Sequence, residues 1–405
     1  MLNRRPTDRQ PVSLEALKTG LMLRDIADDL NVLYLERTEL VSVLITALSG
    51  GFPTSIISAP GTGKTAIIDE LFSHYIDAPS FGWLMTRYTT PDEIFGAPSL
   101  KALSERDELV RNMDDKLPSA RTIKLDECFK ANSATLNAQL EALNEKRFEG
   151  VSCPWVAWIG ASNEYPDGIG SGSSDGDSLG ALWDRYILRV ELDYLASESS
   201  VESLLFSAVE GDRAQPVTSD QLAHMQSQVG NVWVPQEVRD AFIAMRRQLM
   251  TEGITVSDRS WRRAVRVVQA RALAMGRDAA KLSDLTILAH VLWETPDQRA
   301  KVAETVRNVG APEIAVALTC EADVASLAQD FRAATGAEMQ TRGHALTERC
   351  EAHIAALEHL SVDDDEISDE IERVVTYLDS LRQEVAETIF AQLRGRVRRA
   401  ADAAQ

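Results

Sequence analysis

Along the first half of the chain, short apolar runs recur at 54–58, 82–86, 122–126, 155–162 and 186–192. Most are separated by stretches of helical periodicity, such as Ala134–Asn144 within SATLNAQLEALNEK. Strands alternating with helices predict a parallel α/β sheet. In an open sheet of that kind, ligands sit beyond the carboxyl ends of the strands. Past about residue 200 the strand signal fades. Residues 235–310 read as several helices, PQEVRDAFIAMRRQLM, DRSWRRAVRVVQARALAMG and LSDLTILAHVLWE, with Ser257 or Asp258 as N-cap of the second. After Pro312 the pattern becomes Ala-rich and helical, with breaks near Gly336 and Gly343 and at the acidic SVDDDE of 361–366. The last helix places Ile367, Ile371, Val374, Leu378, Leu381 and Val385 in a 4-3-4-3-4 spacing. That spacing predicts either a coiled-coil-like seam or a packed hairpin.

Three run ends carry candidate chemistry. SAPGTGKT at 58–65 nearly fits G-x-x-x-x-G-K-[ST], with Ser58 in place of the first glycine. It has the required context, a β-type run before it and a helical Thr65–Phe72 after it. Gly61 and Gly63 fall where side chains would block backbone approach to phosphate. Lys64 supplies a cation for the β/γ-phosphates, and the Thr65 hydroxyl can ligate Mg²⁺. Ser58, at the strand exit, is tolerable if its φ is negative. The ATP-binding set is then Pro60, Gly61, Thr62, Gly63, Lys64, Thr65 and Ala66, completed by Asp126, with Thr65 and Asp126 as the Mg²⁺ ligands. The third run ends Asp126-Glu127, where Asp126 would hold Mg²⁺ and Glu127 polarise the attacking water. Taken alone, the pair could equally cap a helix starting at Cys128. Lys124 is out of place in that apolar strand, and snorkelling to the sheet rim is the one account available. The fourth run ends at Asn163, placed to bond the γ-phosphate or the water, or else a turn former. DGIGSGSSDGDSLG at 167–180 reads as a mobile, polar linker. Arg259, Arg262, Arg263, Arg266 and Arg271 read as a basic helix face from which one residue can reach phosphate.

Composition narrows the function classes. A net charge of −20 disfavours life on nucleic acid, so a nucleic-acid motor is the weakest reading. The basic RGRVRRA near the C-terminus suits a helix dipole. No apolar stretch is long enough for a membrane span, and the first residues read as a frayed polar arm rather than a secretory leader. Cys128, Cys153, Cys320 and Cys350 lack C-x-x-C spacing, which suits reduced thiols and a cytoplasmic location. Cys350 and His353, one turn apart, have no second pair with which to hold a metal.

The order SAPGTGKT, TIKLDE, GASNE, ALWDRYILRVEL and VSDRSWRRAVR resembles an AAA+ ATPase, with Walker A, Walker B, sensor 1, arginine finger and sensor 2. LYLERTELVSVLITALSGG, WLMTRYTTPDEIFG and LNAQLEALNEKRFE resemble the MoxR group, and LMTRYTTPDEIFG with VSDRSWRRAVRVVQA its RavA branch. The resemblance covers roughly residues 30–310. It implies a five-stranded parallel αβα P-loop core with a helical lid, divided as an arm and helix over 1–36, the core over 37–200, the lid over 201–312 and a helical extension over 313–405. It implies that the sensor 1 strand lies between the Walker strands, with Asn163 beside the γ-phosphate. Arg185 matches the arginine finger that enters the neighbouring subunit's site, with Arg189 as the alternative. Arg259 matches sensor 2, reaching from the lid to the same phosphate. Such proteins hydrolyse ATP in rings, usually hexamers, and remodel a protein partner, commonly with a von Willebrand factor A (vWA) domain protein. The rival from another class is a nucleotide-gated scaffold that binds ATP and barely hydrolyses it. Two departures stand out, Ser58 and the longer Gly/Ser segment before Arg185. The tail also lacks the β-rich insertion of RavA.

Overall fold

The computed structural model describes residues 10–166, 176–207, 213–335, 337–360, 362 and 365–403. Residues 1–9 of the polar arm, most of the Gly/Ser linker and half of SVDDDE therefore lie outside the described residues. The chain forms two compact units, 1–303 and 304–405.

The first unit is built on five parallel strands: β1 (Thr54–Ser58), β2 (Ser80–Leu84), β3 (Thr122–Asp126), β4 (Ala157–Ser162) and β5 (Leu188–Leu192). Their order is β2-β3-β4-β1-β5. The sensor 1 strand β4 thus lies between the two Walker strands, β1 and β3, as the resemblance implied. β1 and β4 are buried along their whole length, as interior strands of a parallel sheet are. β2 is an edge strand of alternating exposure. It begins two residues before the apolar run at 82–86, because an edge strand need not be apolar on both faces.

Helices α1 (Leu14–Leu33) and α2 (Thr38–Gly50) precede the sheet. Ser13 caps α1 by accepting from the Ala16 amide, and Gly51, at φ +64°, ends α2 in the left-handed conformation that glycine enters without a Cβ penalty. After β1, α3 (Lys64–Glu70) runs into a π-helical turn, Leu71–Tyr75. α4 (Ser133–Glu145) is capped by Asn132, so no helix begins at Cys128, and residues 127–129 form a turn instead. The linker enters helix at Gly176, opening α5 (Gly176–Arg185), which leads into β5.

The helical part that follows contains α6 (Ser219–Gln228), α7 (Gln236–Thr251) and α8 (Asp258–Ala274), the last capped by Ser257. LSDLTILAH forms a 3₁₀ segment, Ser283–His290, rather than an α-helix. α1 crosses α8 at Gly20, where a Cβ would lie 2.1 Å from the Leu273 carbonyl. Only glycine permits that approach.

The second unit packs α9 (Pro312–Ala333), α10 (Ala337–Glu358) and α11 (Asp365–Ala403) as three mutually contacting helices. The six seam residues of α11 are all buried, against Val324, Phe331, Leu346 and Cys350 among others. A three-helix core therefore replaces the two-helix alternatives. Gly343 does not break α10. A Cβ there would lie 2.8 Å from Ile389 Cδ1 and 3.0 Å from Phe331 Cε2, so it marks a close helix approach.

Candidate functional site

The carboxyl ends of β1, β3 and β4 are neighbours, and each releases chemistry-bearing residues at the same sheet edge. β1 ends at buried Ser58, which is not among the residues with positive φ. Its hydroxyl oxygen accepts from the Thr62 hydroxyl at 2.8 Å, an internal brace across the loop. Gly61 and Gly63 take φ values of +81° and +87°, which L-residues with side chains rarely adopt. A Cβ at either would meet nothing within 4 Å. Glycine is thus required there for backbone conformation, and the space beside the loop is open.

Lys64 opens α3 with its side chain buried, donating to Asn163 Oδ1 and, at 3.5 Å, to the Ser58 carbonyl. The Asn163 amide in turn donates to Glu127 Oε1, and Lys130 Nζ sits 3.1 Å from Glu127 Oε2. Thr65 Oγ1 lies 3.5 Å from Asp126 Oδ2. Lys64, Thr65, Asp126, Glu127 and Asn163 are therefore gathered at one place. Glu127 stands at φ +51°, a conformation that costs a non-glycine residue on the order of 1 kcal/mol. The Cys128 amide, bonded to the Ala161 carbonyl at 3.0 Å, helps to hold it. Lys124 does not snorkel free: its ammonium pairs with Asp69 on α3.

These donors suit the groups that the motif implies. A hydroxyl and a carboxylate are the hard oxygen ligands that Mg²⁺ takes, and a lysine beside an open glycine loop suits a polyphosphate.

The structure also brings in residues without a recognisable motif. Arg37 is buried and donates to the carbonyls of Thr62 (3.2 Å) and Asp193 (3.0 Å), tying the loop to the exit of β5. Glu36, at φ +57°, accepts from the amides of Ala196 (2.7 Å) and Ser197 (3.0 Å). The Ala196 amide is the main cause that holds its carboxyl below the ordinary glutamate value. The hydroxyls of Tyr34 and Tyr194 donate to the carbonyls of Ala66 and Pro60. Only LYLER hinted at this clasp, and no spacing rule joins residues 34–37 to 193–197.

The arginines lie elsewhere. β5 is parallel to β1, pairing from Thr54↔Leu188 to Ser58↔Leu192. Arg185 just precedes β5, so it sits at the amino edge of the sheet, separated from the loop by the strand length, roughly 13 Å. It bonds Asn144 at the end of α4 and Asp184 beside it. Arg259 reaches the same carboxylate, with its Nη1 3.0 Å from Asp184 Oδ2, and Arg263 is 3.2 Å from Oδ1. Burial pushes the Arg263 guanidinium down, with Asp184 opposing. The expectation that Arg259 reaches the phosphate site from the lid is thus not met within this chain, because the lid docks Arg259 beside Arg185. Arg189 is also no free cation. It is buried, donates to the carbonyls of Tyr186, Trp183 and Trp293, and lies against the Trp183 and Trp293 rings.

Among the described residues there is no cluster of His, Cys, Asp and Glu able to hold a metal, and no helix long and apolar enough to cross a membrane. All four cysteines are free and buried, and His353 bonds Asp323.

The profile of the family described as "MoxR domain in the MoxR-vWA-beta-propeller ternary systems" matches residues 21–229, and that of an AAA lid domain matches 237–306. Two uncharacterized proteins of Methanocaldococcus jannaschii are similar. One is 33% identical over 294 residues (71% of this chain, 76% of the relative), the other 30% over 291 residues (71% and 74%). A structural protein of Acidianus two-tailed virus is 30% identical over 156 residues, 37% of this chain and 25% of its own. The crystal structure of a candidate ATPase from Cytophaga hutchinsonii superposes with a TM-score of 0.53 at 15% identity, over 73% of this chain and 96% of that one, a likeness of fold.

Proposed function

This chain belongs to the MoxR family of AAA+ ATPases, and on that premise we propose that it hydrolyses ATP at sites shared between subunits of a hexameric ring. The observation that carries this reading is the separation of the two half-sites. Lys64, Thr65, Asp126, Glu127 and Asn163 gather at the carboxyl edge of the sheet, while Arg185 and Arg259 share Asp184 at the amino edge. One chain cannot close both around one phosphate, whereas two chains packed edge to edge can.

In this reading, residues 60–66 wrap the phosphates through their backbone, Lys64 neutralises them, and Thr65 and Asp126 hold Mg²⁺. The bound metal would supply charge neutralisation on the phosphate oxygens. Glu127 takes the proton of the attacking water, and Asn163 orients the water or the γ-phosphate. Arg185 and Arg259 of a neighbour then face the developing charge, where such a group is worth on the order of 10³-fold or more in rate. The energy remodels or activates a protein partner in chaperone-like fashion. A vWA-domain protein is the partner we assign, supported by the family's description. LMTRYTTPDEIFG and VSDRSWRRAVRVVQA support a RavA-like branch, and we place the protein in the cytoplasm. Our domain reading remains an arm and helix (1–36), core (37–200), lid (201–312) and helical extension (313–405).

The test is turnover per subunit against protein concentration. We expect Glu127→Gln to bind ATP without turnover, Lys64→Ala to fail to bind, and Arg185→Ala to lose nearly all turnover alone yet to be partly rescued by Glu127→Gln subunits. Absence of rescue in confirmed mixed rings would sink the shared site. Tight ATP binding with no turnover in the parent chain would favour the nucleotide-gated scaffold.

A further inference from the structure

Glu127 and Arg185 belong to opposite edges of the sheet, yet one side chain spans the distance between their neighbours. Tyr186, directly after Arg185, is fully buried and lies against β4 at Gly160. A Cβ on Gly160 would fall 2.4 Å from the Tyr186 hydroxyl oxygen and 2.8 Å from Cys128 Sγ, so the missing side chain makes room for that meeting. The Tyr186 hydroxyl and the Cys128 thiol both crowd the space where a Gly160 Cβ would stand, and the hydroxyl accepts from the Trp158 indole at 3.3 Å. The ring of Phe129, the residue after Cys128, stands edge-on to Tyr186 with centroids 5.6 Å apart. Both residues that follow Glu127 are therefore seated on Tyr186, and Glu127 itself holds a left-handed conformation that only its surroundings maintain.

We infer that Tyr186 is a positioning residue that couples Arg185 to Glu127. Engagement of Arg185 by a neighbouring copy of this chain shifts the α5–β5 junction. Tyr186 passes that shift to Cys128-Phe129 and so to the orientation of the Glu127 carboxylate. Burial raises the Tyr186 hydroxyl far above the ordinary phenol range, which keeps it neutral at every working pH. The inference rests on the shared-site reading and adds to it: the arginine would act on the neighbour's phosphate while reporting that contact to its own chain's water-activating group.

The test uses the full chain and Tyr186→Phe, which keeps the ring and removes the hydroxyl. We expect kcat to fall about 10-fold, with KM for ATP and binding of a non-hydrolysable ATP analogue unchanged. Cys128→Ala should give the same loss, and the double variant no more than either alone. Over the residual rate of Arg185→Ala, followed with radiolabelled ATP, Tyr186→Phe should cost less than 2-fold. Parental kcat in Tyr186→Phe, a KM change matching the kcat change, or a second full 10-fold loss over Arg185→Ala would overturn the coupling. If Arg185→Ala turns over at the parental rate, the shared-site reading falls and takes the coupling with it. An impaired Arg185→Ala beside a parental Tyr186→Phe removes the coupling alone.

Discussion

Arg189→Ala separates a structural arginine from one that enters a neighbour's site. The guanidinium is 5% exposed and donates to three carbonyls, those of Tyr186 at 3.1 Å, Trp183 at 3.3 Å and Trp293. It also lies 4.7 Å from the Trp183 ring centroid and 5.7 Å from that of Trp293. Burial pulls its pKa down to about 10, so at neutral pH it remains charged and depends on those acceptors. A hydrogen bond from a charged donor is worth about 1.5–3 kcal/mol. The three do not add in full, because water can enter the space left by truncation, so we expect a loss of about 4 kcal/mol. At roughly 2–4 °C per kcal/mol for a unit of this size, the melting midpoint should fall by about 8–16 °C. Differential scanning calorimetry measures it, and Arg189→Lys, with one charge and no planar fork, should recover less than half. A variant that melts within about 2 °C of the parent, loses turnover and is rescued by Glu127→Gln subunits would refute the reasoning and make Arg189 the inserted finger.

Three further outcomes follow from other contacts. Ser58→Gly should leave ATP-analogue affinity within about 3-fold, because the serine adds a brace to Thr62 and its backbone needs no glycine; a loss beyond 10-fold by titration calorimetry would contradict this. The Glu36 carboxyl is held below its ordinary value, so its contribution to stability is fully present above that unfolded value of 4.5 and is lost as pH falls through the folded one. The difference in unfolding free energy between parent and Glu36→Gln should accordingly shrink from pH 7 toward pH 3.5, and a difference that stays flat would show that the clasp does not titrate. Gly343→Ala should overpack the three-helix unit by about 1–3 kcal/mol and raise hydrogen exchange across 337–358, while unchanged protection there would mean that Ile389 and Phe331 give way freely.

The sequence determined what local spacing can determine. A phosphate loop is a short piece of backbone between one strand and one helix, so SAPGTGKT announced its own conformation, and β1 and β3 begin and end where their apolar runs do. Asp126, Glu127 and Asn163 were legible for the same reason: strand ends in a parallel sheet meet at one edge. The heptad-like seam of α11 was legible because burial repeats with the helix turn, although the third helix that completes its core was not. Tertiary structure alone decided the rest. Whether Arg185, Arg189 or Arg259 is free depends on what packs against each, and that partner comes from far along the chain: Trp293 against Arg189, Asp184 against Arg259. The direction of β5 put the arginines at the edge opposite the loop, a fact of strand pairing that periodicity does not carry. Gly343 looks like a breaker in sequence and acts as a contact in space, because a missing Cβ frees the backbone in isolation but admits a neighbour in a packed core.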